Sequence, residues 1–329
     1  MVSTENKKYK VTHYNDLCYN PANLKFGVIC LNKYGDAIFS PIYITFEIDE
    51  EVDVDFLGAN LTRWDFINRA LRFQQGTVYE RMAVSPEDFL SIQCYLPSKA
   101  EQICISSFVQ SLNKRIDKQE KLVEALKKYK RGVVQKFFSE MDMMQWELVQ
   151  LKDVVSIFDG THQTPNYKTT GVRFISVENI LNPLATQKYI SEEDYRKEFK
   201  AHPEYGDVLM TRIGDIGRTC YVDFDSDMAY YVSLALFKCS SKIDGRFLAA
   251  YISTNSFQKE LWERTLHIAF PKKINTGEIG ECYIHLPNRE RQIAIASYLD
   301  VIEKKIQLAE KQLNLMQITK AGLMQQLFI

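Results

Sequence analysis

No apolar run in these 329 residues reaches the roughly 18 to 20 needed to cross a bilayer. The first ten residues, MVSTENKKYK, lack the apolar centre of a secretion signal. The expected location is therefore the cytoplasm, with no membrane partner. Net charge is scarce too: the formal balance is −1, so no global basic field advertises a nucleic-acid or lipid surface. Cys18, Cys30, Cys94, Cys104, Cys220, Cys239 and Cys282 are scattered, odd in number and never spaced CxxC. That pattern favours reduced thiols over disulfides or a thiolate metal site. His13, His162, His202, His267 and His285 show no metal-ligand spacing. Neither GxGxxG after a strand nor GxxxxGK(S/T) occurs, so a dinucleotide fingerprint and a phosphate loop are both missing. Carboxylates are plentiful, yet no pair is set apart by its context.

What is present is a globular composition, 46% hydrophobic and 25% charged, on a chain long enough for two domains or three. It also contains a repeat. At a constant offset of 190, Leu96-Pro97 falls on Leu286-Pro287, and Gln102-Ile103 on Gln292-Ile293. Ile105, Ile116 and Glu120-Lys121 fall on Ile295, Ile306 and Glu310-Lys311. Lys130, Gly132, Gln135 and Phe138 fall on Lys320, Gly322, Gln325 and Phe328, without a gap. A repeat of this kind sets the whole architecture.

Each copy carries a heptad. Ile105, Val109, Leu112, Ile116, Val123, Leu126, Val133 and Phe137 follow steps of four and three, with Gln119 and Lys130 interrupting. The second copy reads Ile295, Leu299, Ile302, Ile306, Ala309, Leu313, Met316, Leu323 and Leu327, with Lys320 interrupting. Such spacing predicts coiled-coil helices, and each seam needs a partner helix. The economical solution is that the two copies pack on each other. Ser98 with Glu101 makes a capping box for the first helix, and Asn288 caps the second.

Upstream the repeat weakens but persists. DLCYNPANLKFG, from Asp16, resembles DVLMTRIGDIG, from Asp207, while Phe56-Leu57 and Phe66 match Phe247-Leu248 and Phe257 at an offset of 191. Residues 1–139 thus correspond to roughly 191–329, and residues 141–190 have no counterpart in the first copy. Residues 146–285 read as a mixed α/β domain. Strands are predicted at Val172–Val177, Asp207–Met210 and Tyr230–Phe237, and a helix over Phe247–Leu261.

Three polar loops stand out in that domain. Thr161, His162, Gln163 and Thr164 follow Gly160, and Thr211, Arg212 and Arg218 surround two glycines. Lys272, Lys273 and Asn275 form a basic loop after Phe270-Pro271. Arginine can read guanine edges, Asn and Gln can read adenine, and Lys and Thr can hold phosphates. A solvated turn accounts for each loop taken alone. Charge does not favour DNA, because residues 146–285 hold 16 Lys and Arg against 19 Asp and Glu. A DNA-facing side would need local polarisation, or a partner would have to supply phosphate contacts. Tyr19-Asn20-Pro21-Ala22-Asn23 faintly resembles the Asn-Pro-Pro-aromatic motif of DNA amino-methyltransferases. It lacks the second proline and the aromatic. An enzyme with its own active site and a coiled-coil scaffold without a DNA role stay open as alternatives.

The order of motifs resembles a known family. Trp146 to Val154, Gly160, Thr164-Pro165, Phe174-Ile175 and Glu178-Asn179-Ile180 are similar to the opening of a target-recognition domain. Gly206 to Leu209, Thr211-Arg212, Gly214 and Gly217 resemble its middle, and Leu286-Pro287 with Arg291 to Ala294 resembles its exit. Together they resemble the specificity (S) subunit of type I restriction–modification systems. The resemblance implies α/β (α+β) target-recognition domains joined by two long helices that pair as an antiparallel coiled coil. The helices would pair through Ile105, Leu112, Ile116, Leu126, Ile295, Leu299, Ile302, Ile306 and Leu313. The implied division is the C-terminal part of a first recognition domain (1–95), a spacer helix (96–140), a complete second domain (141–285) and a second spacer helix (286–329).

It further implies a non-catalytic, prokaryotic subunit that holds no cofactor or metal and reads a bipartite site in double-stranded DNA. It would dock two methylation subunits and restriction subunits, and S-adenosylmethionine, ATP and Mg would belong to those partners. One departure is that the opening half of the first domain is missing. The expectation is a truncated or rearranged gene, or a separate fragment that supplies the missing piece; alternatively a second copy of the chain associates so that the complete second domain serves both half-sites.

Overall fold

The computed structural model describes residues 9–76, 82–139 and 143–328. The expected boundary at 140/141 lies outside them. The chain divides into two compact units. One is Met1–Leu122 with Ala309–Ile329, and the other is Val123–Leu308.

The first unit has β1 (Lys10–Thr12), β2 (Leu17–Tyr19), β3 (Ile29–Leu31), β4 (Ala37–Phe39) and β5 (Ile44–Phe46). Helices α1 (Val54–Leu61), α2 (Trp64–Leu71) and α3 (Pro86–Leu90) follow, and α4 (Lys99–Phe137) begins in this unit. Strand β2 lies between β3 and β5 in an antiparallel sheet, and β1 pairs with β4. Leu17, Tyr19, Phe66, Ile67 and Phe89 form its core. Tyr19 is fully buried, and its hydroxyl donates to Val84 O. It is therefore a packing residue, unable to stack on a base.

The second unit adds β6 (Glu147–Gln150), β7 (Val155–Asp159), β8 (Val172–Ile175), β9 (Tyr189–Ile190) and α5 (Glu192–Glu198) before its matching elements begin. These are β10 (Val208–Thr211), β11 (Thr219–Tyr221), β12 (Met228–Tyr230) and β13 (Leu234–Cys239). Then come α6 (Gly245–Ile252), α7 (Asn255–Glu263), α8 (Thr276–Gly280), β14 (Tyr283–Leu286) and α9 (Arg289–Leu327). The main sheet runs β11-β10-β13-β7, all antiparallel. Its inner strands are apolar on both faces because each face meets a core. Val208, Met210, Ala235 and Phe237 point into one cluster, and Leu209, Leu234 and Leu236 into the other, the period-two alternation of a strand. A second sheet, β12-β8-β9, covers the latter face, and β14 pairs with β6.

Two sequence expectations are corrected here. The predicted strand Tyr230–Phe237 is two strands in two sheets, split where Leu234 N donates to Tyr231 O. The predicted helix Phe247–Leu261 breaks at Ser253-Thr254. There the Thr254 hydroxyl accepts from Phe257 N and caps a new helix.

The repeat is visible element by element. The order β3-β2-β5 in one unit corresponds to β11-β10-β13 in the other, and α1, α2 and α3 correspond to α6, α7 and α8. The duplicated Leu-Pro signal has a mechanical reason. Buried Gln102 donates to Pro97 O and accepts from Asp53 N, the N-cap of α1, both at 2.8 Å. Gln292 makes the same two bonds, also at 2.8 Å, to Pro287 O and from Asp244 N, the N-cap of α6. Each long helix is thus bolted at its start to the first helix of its own unit.

The long helices α4 and α9 have 39 residues each, about 58 Å at 1.5 Å per residue. Each contributes a stretch to both units. Ser98 Oγ lies 3.4 Å from Glu101 N, and Asn288 Oδ1 accepts from Arg291 N at 2.9 Å, which caps both starts. The helices pair antiparallel. In the second unit Lys130 reaches Glu303 at 2.7 Å, and Arg291 lies over the Phe137 ring. Ile295, Leu299, Ile302 and Ile306 are buried there against Leu126, Val133 and Phe137. In the first unit Gln119 donates to Ala309 O at 2.9 Å, and Ile105 shares a pocket with Leu327 and Phe328. Leu112, Ile116 and Leu313 are half-buried. Gln119 and Lys130 keep the four-three spacing and stay in the seam, each with a polar partner.

Candidate nucleic-acid interface

The three polar loops of the second unit converge on one buried side chain. Arg212, 6% exposed, sends Nη2 to Asp159 Oδ2 and Nη1 to Ile274 O, both at 3.2 Å. Asp159 ends β7, Arg212 opens the β10–β11 loop, and Ile274 closes the loop after α7. Backbone bonds reinforce the clamp: Arg212 N donates to Ser233 O, Ile274 N to Arg212 O, and Gly214 N to Lys272 O. Val232 N donates to Thr161 O, which ties in the first loop as well.

Local chemistry shapes each loop. Gly160 is required because a Cβ there would lie 2.1 Å from Tyr230 O. In the β10–β11 loop, Gly214 and Gly217 have φ of 83° and 93°, where a side chain is strained. Thr211 Oγ1 accepts from Arg218 N and donates to Asp215 O, folding that loop back on itself. Thr161 Oγ1 donates to Glu198 at 3.1 Å.

Three of the ten candidate residues are therefore corrected. Thr161, Thr211 and Arg212 are buried, with the two hydroxyls and both Arg212 Nη atoms bonded to internal partners, so they brace the loops and do not face outward. His162, Gln163, Thr164, Arg218, Lys272, Lys273 and Asn275 are exposed. His162 Nε2 lies 3.4 Å from Asp159, and Arg218 pairs with Asp215 at the surface, an exposed pair a phosphate can compete for. The sequence signalled the loops through their glycines and polar residues. It missed Asp159, because its partner Arg212 lies 53 positions away, and it missed the cluster around Trp262. The Lys272 ammonium sits 4.5 Å from the Trp262 ring centre, and the His267 ring 4.1 Å from it.

Among the described residues no three His, Cys, Asp or Glu side chains cluster as a metal site. Burial pushes the Cys220 thiol up to about 11, and those of Cys239 and Cys282 up to about 12, so these three hold their protons. No helix of the described residues is long and apolar enough to cross a membrane.

Comparison with known proteins settles the lineage. The model of the type I restriction modification DNA specificity domain matches residues 143–317, more than half of the chain. The chain belongs to the type I restriction–modification DNA specificity family. The specificity subunit of the type I restriction enzyme MjaVIII from Methanocaldococcus jannaschii is 28% identical over 263 residues. That match takes in 72% of this chain and 61% of the relative, so the chain spans about three fifths of that protein. Solved structures share the fold. The S subunit from M. genitalium superposes with a TM-score of 0.63 at 15% identity, covering 98% of this chain and 84% of that one. A chain from a structure of type I R-M complex assembly and conformational transition gives 0.62 at 19% identity, covering 97% and 83%. Both cover nearly all of this specificity-family chain, including the half that the family model leaves out.

Proposed function

We propose that this chain is the DNA-recognition subunit of a type I restriction–modification complex, without an active site of its own. The second unit reads one half of a bipartite site through its exposed loop residues. The observation that carries this reading is the Arg212 clamp, which gathers three separate loops into a single polar rim. His162, Gln163, Thr164 and Asn275 are the candidates for base edges, and Lys272, Lys273 and Arg218 for phosphates. The paired helices dock two methylation subunits, which bring S-adenosylmethionine, and restriction subunits bring ATP and Mg. Much of the phosphate neutralisation then falls to those partners, which fits the acidic balance of residues 146–285.

The test is binding of methylated-motif DNA by the complex reconstituted with its methylation subunits. Lys272→Ala with Lys273→Ala should weaken binding across sequences and lower the salt slope by about one for each phosphate no longer neutralised. Gln163→Ala should change which half-site is chosen. Unchanged affinity and unchanged motif in both variants would remove the recognition reading and leave a scaffold.

The first unit supports a second proposal. Among its described residues β5 has no strand on the side where β13 carries β7, and Gln93 to Leu96 has no strand partner where β14 carries β6. These edges take strands of the β6–β7 kind, carried by a separate fragment or by a second copy of the chain. Native mass spectrometry of the purified chain with its methylation subunits discriminates them. Site-specific binding by a complex holding one copy of this chain and no fragment would count against both.

A further inference from the structure

The loop between Leu266 and Lys273 carries a feature that polar recognition does not use. Ile268 is 99% exposed and Phe270 is 103% exposed, as open as side chains in an extended chain. Left in water, both forgo the gain of burial. Yet the loop that presents them is firmly seated. Leu266 and Lys273 bridge each other across its base, Lys273 also bridges Ile213, and Gly214 N donates to Lys272 O at 2.8 Å. On one flank the Trp262 ring is covered by His267, whose Nε2 donates to Trp262 O at 2.9 Å, and by the Lys272 ammonium.

We infer that Phe270, with Ile268 beside it, is an apolar wedge that enters a base step of the half-site read by the second unit. This rests on the recognition reading above and adds a mode of contact to it. An apolar side chain forced between bases unstacks them and kinks the duplex, and cations beside it hold the flanking phosphates. Here Lys272 and Lys273 follow the tip directly in sequence and are exposed. The tip also belongs to the rim that Arg212 clamps, so wedge and polar loops face a common ligand. DNA is favoured over a protein partner because the apolar pair is small and bordered by lysines, whereas the core of a protein interface is depleted of charge. In the other copy, residues 76–82 read GTVYERM, again an aromatic ahead of a basic residue.

The experiment uses the complex with its methylation subunits and a duplex carrying the motif found by methylome sequencing. 2-Aminopurine is placed in turn at each position of the second unit's half-site. Wild type should raise fluorescence at one step, reporting unstacking. Phe270→Ala should reduce that rise several-fold and weaken specific binding about tenfold, while Phe270→Trp keeps both. Methylation subunits that dissociate from the Phe270→Ala chain with the rise intact would assign the tip to a protein contact and overturn the wedge. Specific binding by wild type with a flat fluorescence profile would also overturn it and leave recognition standing. A wild-type complex that prefers no sequence would sink the recognition reading, and the wedge with it.

Discussion

The turn after β2 and the turn after β10 are the same device built with different side chains. Val84 N donates to Pro21 O at 3.2 Å in the first, and Ile274 N donates to Arg212 O at 3.0 Å in the second. Asn20 folds the first turn by accepting from Ala22 N and Asn23 N, as Thr211 folds the second. But Pro21 stands where Arg212 stands. The second unit has β7, whose Asp159 needs a cation, and the first has no such strand among its described residues. Arginine is present where a neighbouring strand of the chain is tied in, and proline where the described residues supply no such strand.

The largest expected difference between the units concerns the phenylalanine at the end of each long helix. Phe138 packs against Trp146, Phe247 and Tyr251, while among the described residues the aromatic and cation–π partners of Phe328 are the Phe56 ring and the Arg63 guanidinium. Phe138→Ala should cost about 3 to 5 kcal/mol in the second unit, and Phe328→Ala about 2 in the first. Hydrogen exchange read separately in α6 and α1 measures both. Equal losses would mean that the two cores are equally complete.

Next comes the clamp. Arg212→Ala should cost about 1 to 3 kcal/mol in the second unit, below the figure for a wholly buried pair because Asp159 is one-third exposed. It should also weaken DNA binding by loosening the loops. Pro21→Arg in the first unit should change stability by less than about 1 kcal/mol, read as a shift in urea midpoint.

The seam offers a smaller effect of opposite sign. Gln119→Leu replaces a buried amide with an apolar side chain and should stabilise the helix pair by up to about 1 kcal/mol, while relaxing its register. Cysteine cross-linking between α4 and α9 would then report more than one alignment. A single alignment would show that Gln119 does not set it.

The smallest difference is one of pH. Burial pulls the His285 imidazole below its ordinary 6.5, and Tyr251 OH lies 3.1 Å from its Nδ1. Above pH 6.5 the ring is neutral folded or unfolded. As pH falls below 6.5 the unfolded chain takes up a proton first, so stability drains from the second unit until the lower folded value is passed. Tyr95 holds the matching position in the first unit, which lacks this loss, and the bond from Asp36 holds its exposed His13 above 6.5, so any effect there has the opposite sign. His285→Gln should flatten the second unit, measured by exchange at pH 7 and just below 6.

The long helices were legible in the sequence because a heptad without gaps is a local pattern repeated many times. The break at Thr254 was missed, because the apolar spacing of Phe247–Leu261 continues across it and outweighs the local cap signal of the threonine. The split of Tyr230–Phe237 was missed too. Both halves are apolar, and the division depends on a parallel ladder between β12 and β8, more than 50 residues earlier in the chain. The loops could be found from their glycines, but which residues face outward could not. Thr211 and Arg212 turn inward for partners as distant as Asp159 and Ile274, which no local spacing encodes.

The most direct test of the recognition claim is methylome sequencing of cells expressing this chain with its methylation subunits. It should be repeated after residues 143–285 are exchanged for those of a relative. The account predicts a bipartite methylated motif in which the exchange alters one half and leaves the other half and the spacing unchanged. An identical motif before and after the exchange would contradict it.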